Sequence, residues 1–393
     1  MSPLPRAARM SDVVGFGIDR VAAAAAFPHR GRRVLRLENL DTDLPLPPEA
    51  VAVTREALTE PASNSWLPFT GDLDLRAAIA DDTAARCGHP YDPEREIVVT
   101  CGGMEALLDV LLATVDAGNE VVLTDPIYAG IVNRVRLAGG RPVFARLIAE
   151  PGGWRLDREA LAAAAGRPRA RVIVLMSPSM PTGHVLDRDD WALVAELCER
   201  HDLLLLYDAA MEALRFDGRE LVHPLTLPGM TERTVIAGSL SKEHRMIGWR
   251  VGWIAGPEAV VRDAGWVHVY NTTMPVAVAR RAATAVLRGD HGHVARAAAE
   301  LQRRRDAILA TLPHLAVIPA HGGWSLLVDT RASGLEPAEA SRIMMEEGAI
   351  AATPMTGWGE NVAARHLRLV FSAEPVEALE ELGERLAGTP LGA

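Results

Sequence analysis

Short β-branched runs alternate with longer segments of helical periodicity through the middle of this chain. Ile97–Thr100 is an apolar run of strand length, and residues 101–115 (CGGMEALLDVLLATV) read as a glycine turn entering a helix. The pattern then predicts strands over 120–124, 141–146, 171–176, 203–207, 234–237 and 250–254, with a helix over 129–138. A further helix is predicted over 71–86, ahead of the first of these strands, and a strand-like piece over 34–37. Near-continuous apolar strands separated by helices and punctuated by glycine or proline imply a mostly parallel sheet covered on both faces.

Past residue 280 the texture changes. Residues 276–310 are rich in alanine and arginine and predict two helices broken near 289–292. Strands over 315–318, 324–328 and 367–371, a helix over 337–347 and a last helix over 376–386 complete an α+β pattern. The expected organisation is a large α/β domain over 49–280, with seven strands between helices. A smaller α+β domain is built from 1–48 and 281–393.

Apolar residues make up 49% of the 393 positions, enough for a full α/β core, and charged residues make up 23%. The formal charge of −10 argues against non-specific binding to nucleic acid. Cys87, Cys101 and Cys198 are odd in number and lack ligand spacing, so neither a disulfide scaffold nor a metal site is expected. Residues 1–11 have no apolar stretch of signal-peptide length, and no run has the length of a membrane span. The expectation is a soluble cytoplasmic protein that binds neither membrane nor nucleic acid.

Three features carry chemistry. Lys242 follows a short predicted strand in Ser239-Leu240-Ser241-Lys242, and Arg250 stands eight residues on. A lone lysine is ordinarily a solvated surface group, but a planar multi-donor cation nearby suits a dianionic phosphate. Gly102 and Gly103, between a strand and a helix, let backbone amides approach an anion at a helix N-terminus, or else form a plain tight turn. Asp208 closes the 203–207 strand, at the sheet edge where ligands bind, or else caps a turn. Neither GxGxxG nor GxxxxGK[ST] is present, so a nucleotide fingerprint is disfavoured.

Together these motifs resemble the pyridoxal-phosphate enzymes of fold type I, in the class I/II aminotransferase family, over roughly residues 34–386. The resemblance implies that Lys242 holds pyridoxal 5'-phosphate covalently and afterwards serves as acid and base, and that Asp208 pairs with the pyridine nitrogen. It implies that Gly102, Gly103, Met104, Ser239, Ser241 and Arg250 hold the phosphate. Tyr128, in Asp125-Pro126-Ile127-Tyr128, corresponds to the ring that stacks on the cofactor. Arg368, in His366-Leu367-Arg368-Leu369, corresponds to the arginine that holds the substrate α-carboxylate. Residues 179–183 (SMPTG) match the family's NPTG loop, and 64–68 with Gly71 match its NxYxPxxG stretch.

Three positions depart from the family. Met180 stands for the NPTG asparagine and Met211 for a tyrosine, and both usual residues donate to the cofactor's ring oxygen, which a thioether cannot. Trp66 stands for a tyrosine that reaches the neighbouring subunit's cofactor. Glu38 and Asn39 sit where the family has a glycine-rich strip, so either is a candidate to approach the substrate. Trp324 and Trp358 wall the same pocket or fill the small domain's core. The implied activity is amino-group transfer between an amino acid and a 2-oxo acid, in a homodimer with shared active sites. The alternative is a non-transaminating reaction with the same cofactor: elimination, replacement, decarboxylation, oxidation or carbon–carbon bond formation in a specialised biosynthetic pathway. A regulator fused to a DNA-binding domain is not expected.

Overall fold

The computed structural model describes residues 4, 6–15 and 17–392; residues 1–3, 5, 16 and 393, within the expected small domain, lie outside them. After a two-residue strand, β1 (Leu35–Arg36), come β2 (Ile97–Thr100), β3 (Glu120–Asp125), β4 (Arg141–Glu150), β5 (Gly153–Leu156), β6 (Ala170–Met176), β7 (Leu204–Asp208), β8 (Thr234–Ser239) and β9 (Gly252–Ala255). These last eight form one sheet in the order β2-β9-β8-β7-β6-β3-β4-β5. Strands β8, β7, β6, β3 and β4 are mutually parallel, while β9 runs antiparallel to both β2 and β8.

All seven expected strands are present, and the count of seven needs correction to eight. Strand β4 runs on to Glu150, and β5 folds back antiparallel, pairing Leu147 with Leu156 and Glu150 with Gly153. The intervening Pro151-Gly152 makes the turn. The hairpin alternates buried Leu147, Trp154 and Leu156 with exposed Arg146, Glu150 and Arg155, so it lacks the continuous apolar run that β3 and β6 carry.

Alternation along each strand divides the large domain's core in two. Val121 and Leu123 pack with Leu107, Val110, Ile131 and Val261 on one face, whereas Val122 packs with the cluster of Trp191, Leu197 and Tyr207 on the other. The helices Gly103–Thr114, Ala129–Leu137 and Glu258–Asn271 supply the first face. Four parallel strands end at the same edge, at Asp125, Met176, Asp208 and Ser239.

The later strands are β10 (Ala316–Ile318), β11 (Ser325–Asp329), β12 (Ile350–Ala351), β13 (Thr353–Pro354) and β14 (His366–Val370). Four of them make an antiparallel sheet in the order β10-β11-β14-β13, and β1 pairs in parallel with β12. Val370 N also donates to Leu37 O at 2.7 Å, so the N-terminal segment is tied to the C-terminal third. The expected break near 289–292 separates the helices Arg280–Arg288 and Gly292–Thr311. The last expected helix is instead two, Val376–Leu379 and Leu382–Leu386, meeting where Glu380 and Glu381 keep right-handed backbone angles. Among the described residues no helix is long and apolar enough to cross a membrane.

Candidate active site

The ends of β7 and β8 bring Asp208 and Lys242 to one cavity of about 260 Å³, whose walls include Leu40, Tyr128, Met176, Met180, Met211 and Ile247. Lys242 Nζ donates to the carbonyl of Leu40 at 3.2 Å and lies 4.2 Å from the ring centroid of Trp324. Burial, aided by the charges of Arg368 and Arg250 and opposed by Asp41 and Asp208, lowers the Lys242 amine to about 7. Asp208 is 3% exposed and accepts from Ala210 N at 3.1 Å. Its carboxyl is raised to about 7 by burial, against that hydrogen bond and the charges of Lys242 and Arg134. A low-pKa amine and a high-pKa carboxyl in one cleft are the hallmark of a reactive site rather than a structural ion pair.

Beside them lies an anion cradle. Gly102 has φ +94°, and a Cβ there would collide with the Arg250 guanidinium. The turn opens directly into the helix Gly103–Thr114, whose first amides face outward. Arg250 itself has a left-handed φ of 56° and donates to Ser241 Oγ at 3.3 Å, Ile247 O at 3.0 Å and Cys101 O at 3.3 Å. Ser239 Oγ accepts from Ser241 N at 3.1 Å. Gly103, Met104, Ser239, Ser241 and Arg250 thus line the same cavity as Lys242.

Arg368, on β14, is fully buried. Its Nη2 donates to Glu38 O at 2.5 Å and to Thr353 Oγ1 at 3.3 Å, while Nε and Nη1 have no hydrogen-bond partner among the described residues. The guanidinium lies 4.4 Å from the ring centroid of Trp358. Burial lowers it to about 10, opposed by Tyr128 and Glu38. Tyr128 precedes the helix Ala129–Leu137 and meets Trp358 edge to face at 5.4 Å.

Of the expected residues, Gly102, Arg368, Glu38, Asn39 and Trp66 are not among those lining the cavity. Glu38 does not face the cavity: its Oε1 accepts from Arg36 Nε at 2.8 Å, and what it contributes is the main-chain carbonyl under Arg368. Leu40, rather than Glu38 or Asn39, lines the cavity, because pairing of β1 with β12 sets the direction of this segment. Trp66 lies outside the cavity, is 69% exposed and packs edge-on against Phe69. Trp324 and Trp358 are both fully buried core residues that do not line the cavity, and each presents a ring face to a cation of the group.

Met180 and Met211 do line the cavity, and Met180 Sδ is 3.2 Å from Ser325 Oγ, which also donates to Pro181 O at 2.8 Å. Sequence reasoning missed Met176, Leu40 and Ile247, apolar residues whose only signal is adjacency to motif positions. It also missed Arg134, whose Nε donates to Met104 O at 2.7 Å behind the anion cradle. Glu105, Asp109 and His268, for which no role was expected, converge behind the same turn.

Residues 34–386 match the family described as aminotransferase class I and II. The chain is 32% identical over 375 residues to an arginine–pyruvate transaminase of Pseudomonas aeruginosa, covering 93% of this chain and 92% of that one. It is 30% identical over 309 residues to kynurenine–oxoglutarate transaminase 1 of Homo sapiens, covering 73% of this chain and 72% of that one. The solved N-succinyldiaminopimelate aminotransferase from Mycobacterium tuberculosis superposes with a TM-score of 0.91 at 28% identity, over 99% of this chain and 100% of that one. The aspartate aminotransferase from Rhizobium meliloti gives 0.90 at 26% identity, over 99% of each chain.

Proposed function

The chain belongs to the class I and II aminotransferase family, a family of pyridoxal-phosphate-dependent transferases, and we propose that it moves an amino group from an amino acid to a 2-oxo acid with Arg368 as the carboxylate anchor. Transaminase activity in general is carried by its similarity to transaminases of several specificities. The donor and acceptor pair belongs to the proposal.

The residues fit the cofactor. A Cβ-free turn under Arg250, an amine lowered to about 7 and a buried carboxyl at a strand end are the donors its phosphate, aldehyde and ring nitrogen need. In this reading Lys242 holds the cofactor covalently, Asp208 holds the ring nitrogen, and Gly102, Gly103, Met104, Ser239, Ser241 and Arg250 hold the phosphate. When bound, the cofactor supplies the electron sink for bond breaking at the substrate's α-carbon. Lys242 Nζ, near neutrality in its pKa, is suited to take a proton and return it at that carbon. Tyr128 and the methionines exclude water from the cavity.

The single observation that carries the reading is Arg368. A fully buried guanidinium with two unpartnered nitrogens is costly unless an anion arrives, and a carboxylate supplies the acceptor that the described residues do not. Fixing the carboxylate also fixes which α-bond is broken. The test is a spectral titration of the holoenzyme against a panel of amino acids, with mass analysis of products. Conversion to pyridoxamine phosphate with release of a 2-oxo acid, reversed by adding a 2-oxo acid, is expected. Absence of both products with every donor refutes it.

One observation favours a second reading. Met180 and Met211 place sulfur where the family pattern has hydrogen-bond donors, which leaves the ring oxygen less stabilised and suits the non-transaminating reactions named above. Olefinic, decarboxylated or oxygenated products in the same titration would select it.

A homodimer belongs to the same proposal. Trp66, Phe69, Trp266 and Tyr270 are all exposed, and the last two stack at 6.3 Å, so one face of the chain carries clustered aromatics. Burying that face against a second copy would bring Trp66 toward the partner's cofactor, and sedimentation of a Trp66→Ala, Tyr270→Ala variant tests it. Domain limits of 49–280 and 1–48 with 281–393, and a cytoplasmic location, complete the proposal. Limited proteolysis and cell fractionation test them.

A further inference from the structure

Behind the anion cradle lies a buried charged cluster with no part in the reaction described above. Glu105 stands in the first turn of the helix Gly103–Thr114, and its Oε2 accepts from the amide of Cys101, the residue that opens the turn. Its Oε1 accepts from Thr272 Oγ1 and faces His268 Nδ1 at 3.2 Å. The other nitrogen of His268, Nε2, faces the carbonyl of Phe69 at 3.0 Å. Asp109 completes the group, with Oδ2 3.9 Å from His268 Nδ1 and with Asn271 as a side-chain hydrogen-bond neighbour. Asp109 and His268 are fully buried.

Both nitrogens of His268 lie within hydrogen-bond distance of oxygen atoms, so the ring is held between Glu105 and the Phe69 carbonyl. Burial works to raise the Glu105 carboxyl, but hydrogen bonds from His268, Thr272 and the Cys101 amide outweigh it and hold the group ionised. Asp109 is raised to about 7 by burial and by the charge of Glu105, so it is largely neutral below that pH. The Cys101–Gly103 turn therefore rests on the Glu105 carboxylate, which His268 faces directly.

A carboxylate there serves the turn and harms its ligand. It fixes the Cys101 amide, yet an uncompensated negative charge beneath a site for a dianionic phosphate repels it at low dielectric. We propose that His268 is a positioning residue for cofactor binding: held against Glu105 through one ring nitrogen and against the Phe69 carbonyl through the other, it offsets the Glu105 charge beneath the phosphate turn and ties that turn to the Phe69 segment. The inference rests on the reading that the Gly102–Gly103 turn holds the cofactor's phosphate.

Parent, His268→Asn, and His268→Asn with Glu105→Gln are compared as folded holoenzymes, matched by circular dichroism. The readouts are the pyridoxal 5'-phosphate dissociation constant by equilibrium dialysis and the ³¹P resonance of the bound cofactor. Loss of a buried charge-assisted hydrogen bond is expected to weaken His268→Asn by about ten- to a hundredfold and to shift the resonance. Removing the stranded charge in the double variant is expected to recover most of that loss. A parental constant in His268→Asn overturns the inference, as does a double variant weaker than the single one, which a merely structural role would give. Stoichiometric metal in the purified parent overturns it too, since a metal would occupy the place of the His268 proton. Arg250→Met separates the two levels: if it also leaves the constant unchanged, the phosphate reading itself has failed.

Discussion

Replacing Arg86 by leucine is expected to destabilise the fold strongly, and more so at alkaline pH. Arg86 Nη1 is 2.7 Å from Glu243 Oε2 and 3.6 Å from Glu212 Oε2, and Nε is 3.1 Å from Asp82 Oδ2. The arginine side chain is 20% exposed, and its three acidic partners are 2–4% exposed. Removing one partner of a buried ion pair costs about 3–5 kcal/mol, because the remaining charge stays buried and unpaired. An unfolding entropy of about 2.1 cal/mol/K per residue converts this to a fall in Tm of about 4–6 °C if all 393 residues unfold together. The fall is roughly 6–20 °C if a domain of 150–250 residues is the cooperative unit.

The pH dependence of the same variant is set by Glu212. Burial raises its carboxyl from 4.5 to about 7, against Arg86, which is the largest opposing influence. Between those values the native protein holds more protons than the unfolded chain, so this group's contribution is present in acid and is lost as pH rises through about 7. Without Arg86 the carboxyl moves higher still. The deficit of Arg86→Leu is therefore expected to be larger at pH 8 than at pH 5.5, read by differential scanning calorimetry. A variant melting within 1 °C of the parent at pH 8 refutes the reasoning, whereas Arg95→Leu, which removes an exposed pair with Asp92, should leave Tm unchanged.

Arg368→Leu is expected to lower kcat/KM for the amino donor by about a hundredfold or more, since it removes charge-assisted hydrogen bonds to a carboxylate; a change of less than tenfold counts against the anchor role. In cofactor-free protein the Lys242 amine, lowered to about 7, should titrate near neutrality, and Arg368→Leu should raise its pKa because Arg368 is the largest charge acting to lower it. Reductive ¹³C-methylation followed by NMR reads this, and an unshifted resonance in Arg368→Leu counts against the assigned cause. Met211→Tyr should lower the midpoint of the holoenzyme's visible-band pH titration by restoring a donor to the ring oxygen; an unmoved midpoint shows that another group already supplies it.

What was legible in the sequence was local. Lys242, Asp208 and Ser239 sit at ends of apolar strands, and strand ends are marked by composition within a few residues. Gly102 and Arg250 lie far apart, but each belongs to a short pattern whose residue types have few other uses. Side-chain direction was not legible where it depends on distant pairing. Glu38 is two residues beyond β1, and its orientation follows from a partner strand more than 300 positions away. The β4–β5 hairpin was missed because its buried positions alternate with exposed charged ones over only a few residues, so no apolar run marks it. His268 was invisible for a related reason: a histidine on a helix between the exposed Trp266 and Tyr270 gives no sign that its ring turns inward to Glu105.

The two tryptophans left open between wall and core show what the site requires of its neighbours. A buried cation needs a partner, and the usual partner is a carboxylate. A carboxylate against Arg368 would occupy the nitrogens that the substrate needs, and one against Lys242 would hold its proton. An indole face attracts a cation without accepting its hydrogen bonds. Trp358 at 4.4 Å from Arg368 and Trp324 at 4.2 Å from Lys242 meet that condition, stabilising each charge without taking up a donor. The nearest acidic side chain to Arg368, Glu38, is drawn aside by Arg36 and presents only a carbonyl. Arg36 thereby holds the Glu38 carboxylate away from Arg368, and under the proposed reading that leaves the guanidinium for a substrate carboxylate.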